Sequence, residues 1–249
     1  MHSRHFKILD MLQSGKIEIR KAAPLLGVSE MTLRRDLRIL EKQHLLIQVK
    51  GGALPPQAIG DDCPVPDPLL PVRNAIAEKL YERIFPCKTI FLSTGSTVLR
   101  FATLVARRNT HPVTVITNSL SVASTLFRSS CRVILLGGEM RTSQMDLVGP
   151  AAERSLEEYR VEWLVTGCDG AIANWGFYTS DLSLSDLEKK SISIAEHTAV
   201  ITDSSKFYRK SLTRFATPAE IDLLVTDKNI PQKELETLES YPQLEIITV

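Results

Sequence analysis

Residues 27–37 have the sequence GVSEMTLRRDL, which predicts the tight turn and the second helix of a helix-turn-helix. Gly27 can adopt the left-handed turn conformation that residues with a side chain avoid. Ser29 can cap the new helix by accepting a hydrogen bond from a backbone N–H. Apolar residues then repeat at i, i+4 and i+7, at Leu33, Leu37 and Leu40. One face of this helix is therefore expected to lie in a core.

The opposite face of the same helix is polar and basic. At about 100° per residue, Met31, Arg35 and Arg38 point away from the leucines, and Arg34 lies on the flank. Many arginine-rich helix faces are simply solvated, and that is the alternative here. A helix with a buried back and several arginines in front suits the major groove of DNA. The predicted DNA-contacting residues of this helix are Ser29, Met31, Thr32, Arg34, Arg35 and Arg38.

The remainder of residues 1–54 is predicted to complete a winged helix-turn-helix domain. Helices are expected at 4–13, 20–26 and 30–43. Pro24 in the second helix is tolerable within the first turn or at a kink. Residues 45–52, LLIQVKGG, are rich in β-forming residues and end in two glycines, which predicts a hairpin wing. Lys50 at the tip of this wing is expected to contact a DNA phosphate.

Charge is distributed unevenly along the 249 residues. Residues 1–53 contain ten Lys/Arg and five Asp/Glu, a net charge of +5, whereas the rest contains twenty and twenty-four, a net charge of −4. This division indicates a DNA-binding head on an acidic body that does not contact DNA. A proline-rich segment, residues 55–72, is interpreted as a stiff linker between them. The body is expected to span residues 73–249.

Several classes of protein are excluded by composition. No apolar run approaches the roughly 18 residues of a membrane span, and the charged N-terminus lacks the apolar region of a signal peptide. The four cysteines and five histidines are scattered and show no disulfide or metal-ligand spacing. We therefore expect a cytoplasmic protein with reduced thiols, without a membrane partner, a cofactor or a metal ion.

The body alternates apolar, β-rich runs with helical stretches, which predicts an α/β fold with a parallel sheet. Small polar residues and glycines follow successive runs, and ligands bind at this end of open α/β sheets. The expected strands are 89–92, 113–117, 132–136, 163–166, 199–202, 223–225 and 245–249. The candidate effector-binding residues are Ser93, Gly95, Ser96, Thr97, Asn118, Ser119, Gly138, Asp169 and Lys206.

A small anionic ligand is favoured by the chemistry of these residues. The turn at Gly95, Ser96 and Thr97 opens a helix whose N-terminal N–H groups suit a phosphate. Lys206 would add a positive charge for the phosphate, and Asp169 would accept a hydrogen bond from a sugar hydroxyl. Each residue also has a plainer interpretation, because Gly-Ser-Thr turns are common, Lys206 suits a solvated loop, and Asp169 can simply shape a turn.

The head and the body both resemble the DeoR family of bacterial sugar-operon repressors. The family signature Ser-x-x-Thr-x-Arg-Arg-Asp-Leu is complete over residues 29–37. In the body, the similar motifs are the Gly-Ser-Thr turn, TNS at 117–119, GG at 137–138, GCDG at 167–170 and DSSKF at 203–207. The resemblance implies a sensor domain with the fold of ribose-5-phosphate isomerase. It also implies a phosphorylated sugar that releases the protein from DNA, and assembly as dimers or higher oligomers.

The sequence departs from the family pattern at several of these positions. Gln48 and Lys50 stand where the family usually has Arg and His, and Ser93 stands where it has Asp. Over residues 179–190 the family shows Asn, Glu residues and a Val-Lys pair, where this chain has Asp181, then SLSD at 183–186, then Leu187-Glu188. Lys189 follows one residue later than the family's lysine. A carboxylate and a lysine are therefore expected to be missing or moved in the pocket, which weighs against isomerase chemistry.

Three functions are compatible with these observations. The leading one is a sequence-specific transcriptional regulator, a repressor of a sugar-metabolism operon, controlled by a phosphorylated sugar. It would bind a double-stranded DNA operator as a homo-oligomer, a dimer or a tetramer. The alternative is a sugar-phosphate isomerase-like enzyme fused to a DNA-binding head, which needs a placed base. A winged helix that binds other proteins is disfavoured by the arginine face.

Overall fold

A computed structural model describes residues 3–13, 17–42, 46–49, 51–54 and 68–249. The chain forms two compact units, Met1–Asp67 and Pro68–Val249. We call the first unit the head and the second unit the body.

The described part of the head contains three helices and three short strands. They are α1 (Ser3–Gln13), β1 (Ile17–Glu18), α2 (Ile19–Leu25), α3 (Glu30–Lys42), β2 (Ile47–Val49) and β3 (Gly52–Leu54). The strands pair antiparallel in the order β1-β3-β2. The winged helix-turn-helix architecture expected from the sequence is therefore confirmed, with β1 as an additional strand against the wing.

The turn between α2 and α3 has the expected local chemistry. Gly27 has φ +66°, a left-handed conformation, and the Ser29 hydroxyl accepts the Thr32 N–H at 3.2 Å. The side chains of Leu33, Leu37 and Leu40 are fully buried, packed together with α1 and α2 side chains. Burying such side chains stabilises the head by about 1.5–3 kcal/mol each relative to exposure.

Pro24 occupies a different position from the one expected. Because α2 begins at Ile19 and ends at Leu25, Pro24 lies in the last turn rather than in the first. A proline in a helix removes one N–H and clashes with the carbonyl four residues earlier. Here the disturbance falls where the helix ends, and the chain continues directly into the turn.

The body, residues 68–249, alternates helices and strands from end to end. The elements are α4 (Leu70–Ile84), β4 (Thr89–Leu92), α5 (Ser96–Arg108), β5 (Thr114–Thr117), α6 (Leu120–Leu126), β6 (Arg132–Leu135), β7 (Glu139–Arg141), β8 (Asp146–Val148), α7 (Pro150–Glu157), β9 (Val161–Thr166), β10 (Gly170–Ile172), β11 (Gly176–Thr179), α8 (Leu182–Ile194), β12 (Ala195–Ile201), β13 (Thr213–Ala216), β14 (Leu223–Thr226), α9 (Gln232–Glu239) and β15 (Glu245–Thr248). Short 3-10 helices occur at Ser204–Tyr208 and Pro218–Glu220.

Within residues 68–249, seven strands form one sheet in the order β15-β14-β12-β9-β4-β5-β6. Every pairing in this sheet is parallel. The predicted parallel sheet is confirmed, and each of the seven expected strands lies in it. After β4 the chain builds outward through β5 and β6, and it then returns to place β9 on the other side of β4. The order therefore reverses between β4 and β9, where open α/β sheets bind ligands.

Helices cover both faces of this sheet. Ile90 and Leu92 pack in the cluster with α4, α5 and α6, whereas Phe91 packs with α7 and α8. Successive strand residues point to opposite faces, so a strand covered on both sides is apolar throughout. This double burial explains why the strands stand out as continuous apolar runs in the sequence.

Three features of the body differ from the sequence expectation or were missed by it. Helix α4 begins at Leu70, so residues 70–72 belong to this helix and not to the predicted linker 55–72. An antiparallel hairpin, β7–β8, follows β6. A small antiparallel sheet has the order β10-β11-β13. Residues 55–67 of the predicted linker lie outside the described residues. In the described ranges, no helix combines the length and the apolarity needed to cross a membrane.

Candidate functional site

The exposed face of α3 carries the side chains predicted to contact DNA. Met31 is 78% exposed, and Arg35 and Arg38 are also exposed. Arg34 lies 3.9 Å from Glu30, one turn earlier, with both side chains about half exposed. Ser29 and Thr32 sit at the start of the helix, where their hydroxyls are 2.9 Å apart. The six predicted α3 residues thus lie together at the N-terminal part and on the exposed face of one helix.

Asp36 interrupts this basic face by pointing inward. Its carboxylate accepts two hydrogen bonds from the Arg4 guanidinium on α1, at 2.6 and 3.1 Å. Burial acts to raise the pKa of Asp36, but the bonds and charge of Arg4 outweigh it and hold the pKa below its usual value. The ion pair therefore fixes α3 against α1.

The wing is engaged with α3 rather than extended away from it. The Gln48 N–H and side-chain amide donate to the two carboxylate oxygens of Glu41, at 2.8 and 2.7 Å. Gln48, one of the departures from the family pattern, is thus occupied within the head. Lys50, predicted to contact a phosphate, lies outside the described residues.

The body contains a cavity of about 440 Å³ at the carboxyl ends of its parallel strands. Segments that follow β4, β9 and β12 line it, together with β7 and the start of α8. The cavity therefore lies at the reversal point between β4 and β9, and its size falls in the range typical of small-molecule sites. The lining residues are Thr94–Val98, Arg141, Ser143, Gln144, Gly167–Asp169, Thr179–Asp181, Leu184, Glu188, Ile201, Thr202, Lys206 and Phe215.

Five predicted effector-binding residues are brought together by this cavity: Gly95, Ser96, Thr97, Asp169 and Lys206. Gly95 has φ +130° and is the N-cap of α5, a helix of 13 residues, and residues 94–98, which include the start of this helix, line the cavity. Such a helix start attracts anions through its N–H groups and its dipole. Lys206 forms no salt bridge with another described residue, which leaves its charge available to an anionic ligand.

Asp169 is held in place by its neighbours. Its Oδ2 accepts the Ser180 N–H at 2.9 Å and the Ser180 hydroxyl at 2.7 Å. Part of this carboxylate thus shapes the loop between β9 and β10, as the plainer interpretation supposed. Its position in the lining still exposes the group to a ligand.

The other four predicted residues, Ser93, Asn118, Ser119 and Gly138, do not line the cavity. Asn118 is fully buried and donates its side-chain amide to Leu147 O at 3.1 Å. Ser119 caps α6 by accepting the Val122 N–H at 3.3 Å. Both follow β5, on the far side of β4 from the reversal point, and the β7–β8 hairpin packs over this strand end.

Gly138 and Ser93 are likewise committed to contacts within the protein. Gly138 has φ +147°, and a Cβ there would lie 2.7 Å from Val148 O, so this position suits close backbone packing. Ser93 is 1% exposed, and its hydroxyl donates to Glu188 Oε1. We therefore remove all four residues from the effector site proposed below.

Two charged residues of the cavity were missed in the sequence. Glu188, from the stretch that departs from the family pattern, brings a carboxyl group into the lining. The lining thus contains a carboxyl group, which agrees with a carboxylate that is moved, one of the two outcomes expected from the sequence. Burial raises the pKa of Glu188 to about 7. Asp146 adds to this rise, whereas the Ser93 and Thr166 hydroxyls and Arg141 oppose it.

Arg141 is the second missed residue. Its guanidinium donates to both carboxylate oxygens of Asp146, at 2.8 and 2.6 Å, and lies 3.1 Å from Asp181. Burial acts to lower the pKa of Arg141, but the two carboxylates outweigh it and raise the pKa. Arg141 thus joins the β7–β8 hairpin to the start of α8.

A winged helix-turn-helix with an exposed basic helix, joined to a body with a ligand-sized cavity, defines a transcriptional regulator with a sensor domain. Residues 4–57 match the DeoR-like helix-turn-helix domain, and residues 71–228 match the DeoR C terminal sensor domain. The chain belongs to the DeoR family of transcriptional regulators, as the sequence resemblance implied.

Curated relatives of this chain are named as regulators. It is 31% identical over 235 residues to the putative aga operon transcriptional repressor of Escherichia coli O157:H7, covering 91% of this chain and 86% of that protein. It is also 31% identical over 247 residues to the HTH-type transcriptional regulator UlaR of Shigella dysenteriae serotype 1, covering 95% of each.

Among solved structures, one similar chain is ribose 5-phosphate isomerase a from Methanocaldococcus jannaschii. The sequence identity is 17% and the TM-score 0.40, over 55% of this chain and 54% of that one. A sequence identity and a TM-score this low give no information about function.

Proposed function

We propose that this regulator is a repressor of a sugar-metabolism operon and that a phosphorylated sugar in the body cavity releases it from its operator. The observation that supports this most is the place of the cavity at the reversal point of the sheet. There the start of α5, with Gly95, Ser96 and Thr97, and the Lys206 ammonium face the same space. A helix N-terminus and a cation favour a dianionic phosphate.

The remaining lining suits the sugar part of such a ligand. Asp169, Thr179 and Ser180 supply hydroxyl and carboxylate groups that can form hydrogen bonds with sugar hydroxyls. The relatives whose names mention an operon or a regulator agree with control of transcription. An isomerase-like enzyme, the alternative from the sequence, finds no counterpart among these relatives.

The proposed DNA contacts lie on α3, with Arg35 and Arg38 in the major groove. A single head makes too few contacts for tight specific binding, and helix-turn-helix proteins bind two half-sites about one helical turn apart. We therefore propose that the protein acts as a homodimer or a larger homo-oligomer, paired through the body. Its place of action would be the cytoplasm, where the operator DNA is found.

The experiment is a gel shift with the full-length protein and the promoter beside its own gene, repeated with matched sugars and sugar phosphates. Hexoses and pentoses are tested with and without the phosphate group. The expected result is a specific complex that only phosphorylated members dissociate. Equal effects of a sugar and its phosphate would contradict the proposed phosphate site. The absence of any complex would contradict binding to an operator in this promoter.

A further inference from the structure

Glu188 is a buried carboxyl group that the proposed function leaves unused. It lies on α8, is 3% exposed and lines the cavity. Its Oε1 accepts hydrogen bonds from the Ser93 hydroxyl and, at 2.9 Å, from the Thr166 hydroxyl. Its Oε2 has no hydrogen-bond partner in the described part of the chain. One oxygen is thus fixed by the protein, whereas the other is buried beside the cavity without a partner.

The two hydroxyls on Oε1 determine the orientation of the whole carboxyl group. Ser93 directly follows β4, and Thr166 is the last residue of β9. These strands flank the reversal point, so Glu188 is held where the strand order reverses. A buried acceptor without a partner carries the full cost of its desolvation. A ligand with a hydrogen-bond donor at this point would remove that cost.

The charges around Glu188 indicate which donor fits. Arg141 on β7 is the cation near it, and this guanidinium is already bonded to Asp146 on β8 and to Asp181 at the start of α8. Arg141 is therefore bonded to two carboxylates and acts on Glu188 only through its charge. The other described cation of the lining, Lys206, is assigned to the phosphate, and β4 and β9 contribute the neutral hydroxyls of Ser93 and Thr166. A ligand hydroxyl would satisfy Oε2 but leave the excess negative charge, whereas an ammonium group would satisfy both.

The sequence supports the same conclusion. Ser93 and Glu188 stand where the family pattern has Asp and Lys, and the structure places these two departures in contact. A lysine at position 188 would present a donor to the ligand. Glutamate presents an acceptor instead, so this chain selects the opposite hydrogen-bonding group.

We propose that Glu188 determines ligand specificity by accepting a hydrogen bond from an ammonium group, so that the effector is an amino sugar phosphate. This inference rests on the proposed function, because the phosphate of the same ligand would occupy the start of α5 beside Lys206. The ligand is then a zwitterion whose two charged ends meet opposite charges in one cavity.

The test is calorimetric titration of the full-length protein with matched pairs that differ only in one amino group. The pairs are glucosamine and glucose 6-phosphate, galactosamine and galactose 6-phosphate, and mannosamine and mannose 6-phosphate. In at least one pair the amino member is expected to bind about tenfold tighter or more, as for a charge-assisted hydrogen bond. No preference in any pair would overturn the inference.

The E188Q variant tests the residue itself. Its amide oxygen can keep the bonds from Ser93 and Thr166, while its NH₂ group replaces the free oxygen and turns an acceptor into a donor. The preference for the amino member should disappear while phosphate binding remains. A preference that survives in E188Q would assign the selection to another group. The matched control E239Q makes the same change at an exposed residue of α9, so it should retain the preference.

Proton linkage gives a readout that a merely structural role would not change. Titrations near pH 6.5 in buffers of different ionisation enthalpy measure the protons exchanged on binding. Parent protein should release more protons than E188Q when the amino member binds, because Glu188 must ionise to pair with it. Equal proton release by the two proteins would contradict the inference. If no sugar phosphate binds the parent protein, both the proposed function and this inference are contradicted. If sugar phosphates bind without a preference for the amino member, only this inference is contradicted.

Discussion

The Arg73 guanidinium lies 3.6 Å from the Asp203 carboxylate, with both side chains largely buried. Arg73 belongs to the first turn of α4, and Asp203 caps the short helix that carries Lys206. The start of the body is therefore tied directly to one wall of the cavity. Any movement of that wall on ligand binding would therefore act on the first turn of α4.

This ion pair is expected to stabilise the body. R73M should lower the free energy of unfolding by about 1–3 kcal/mol, because it leaves the buried Asp203 charge without its cation. A double-mutant cycle with D203N, measured by urea unfolding, should give a coupling energy above about 0.5 kcal/mol. The exposed pair Lys79–Glu82 is the control and should show weaker coupling. Additive effects of R73M and D203N would contradict the expectation.

Arg35 is expected to contribute directly to operator binding. R35A should weaken binding by about 1–3 kcal/mol if the guanidinium contacts a base. The measurement is fluorescence anisotropy with operator DNA at fixed salt. K79A makes the same charge change on an exposed helix of the body and should leave affinity nearly unchanged. Parent-like affinity in R35A would show that α3 does not enter the groove as proposed.

Lys206 is expected to act on the phosphate end of the ligand. K206A should weaken binding of the effector phosphate about tenfold to a hundredfold, as expected for loss of a charge-assisted hydrogen bond. The nearby Lys210 is exposed and does not line the cavity, so K210A is the matched control. Equal losses in the two variants would indicate a general electrostatic effect instead of a phosphate contact.

The buried Glu188 should make stability depend on pH. Its pKa rises from 4.5 to about 7 on folding, so the folded protein holds a proton that the unfolded chain releases. Below about pH 4.5 Glu188 is protonated in both the folded and the unfolded protein, so its ionisation does not change the free energy of unfolding. Its contribution then lowers the free energy of unfolding as pH rises to about 7, by about 3 kcal/mol in total.

The measurement for Glu188 is urea unfolding of parent and E188Q between pH 5 and 8, within the linear range of the extrapolation. The difference between the two proteins isolates this residue from the other carboxylates. E188Q should become relatively more stable as pH rises. The exposed Glu239 gives the control E239Q, which should follow the parent at every pH. A constant difference between E188Q and parent would contradict the shifted pKa.

Oligomerisation is tested by sedimentation. The chain has a mass of 27.8 kDa, and two heads are needed to contact two half-sites. Analytical ultracentrifugation at micromolar concentration should therefore show a dimer or a larger species. A single species with the mass of a monomer would contradict the proposal that the protein acts as an oligomer.

The sequence predicted the head and the main sheet well because both depend on local patterns. The spacing of Leu33, Leu37 and Leu40 and the runs buried between two helix layers are visible within short windows. The β7–β8 hairpin was missed because its strands are short and partly polar. Glu188 was missed for a different reason. Its contact with Ser93 joins residues 95 positions apart, and only the topology of the sheet brings them together.

The strand order also explains which predicted site residues do not line the cavity. Every strand end of a parallel sheet looks equivalent in sequence, so Asn118 after β5 was as strong a candidate as Thr97 after β4. The reversal of strand order opens a crevice only beside β4 and β9. Strand ends farther along the β5 side are closed by the hairpin, and a periodic pattern carries no information about that choice.

Asp36 and Arg35 are adjacent in the chain, yet one holds the head together and the other is free for a partner. The inward carboxylate depends on Arg4, which lies on a different helix. A genetic screen for loss of repression would therefore recover Arg4 alongside Arg35. The two classes of mutant would separate on heating: the first would melt early, whereas the second would keep its melting temperature and simply release the promoter.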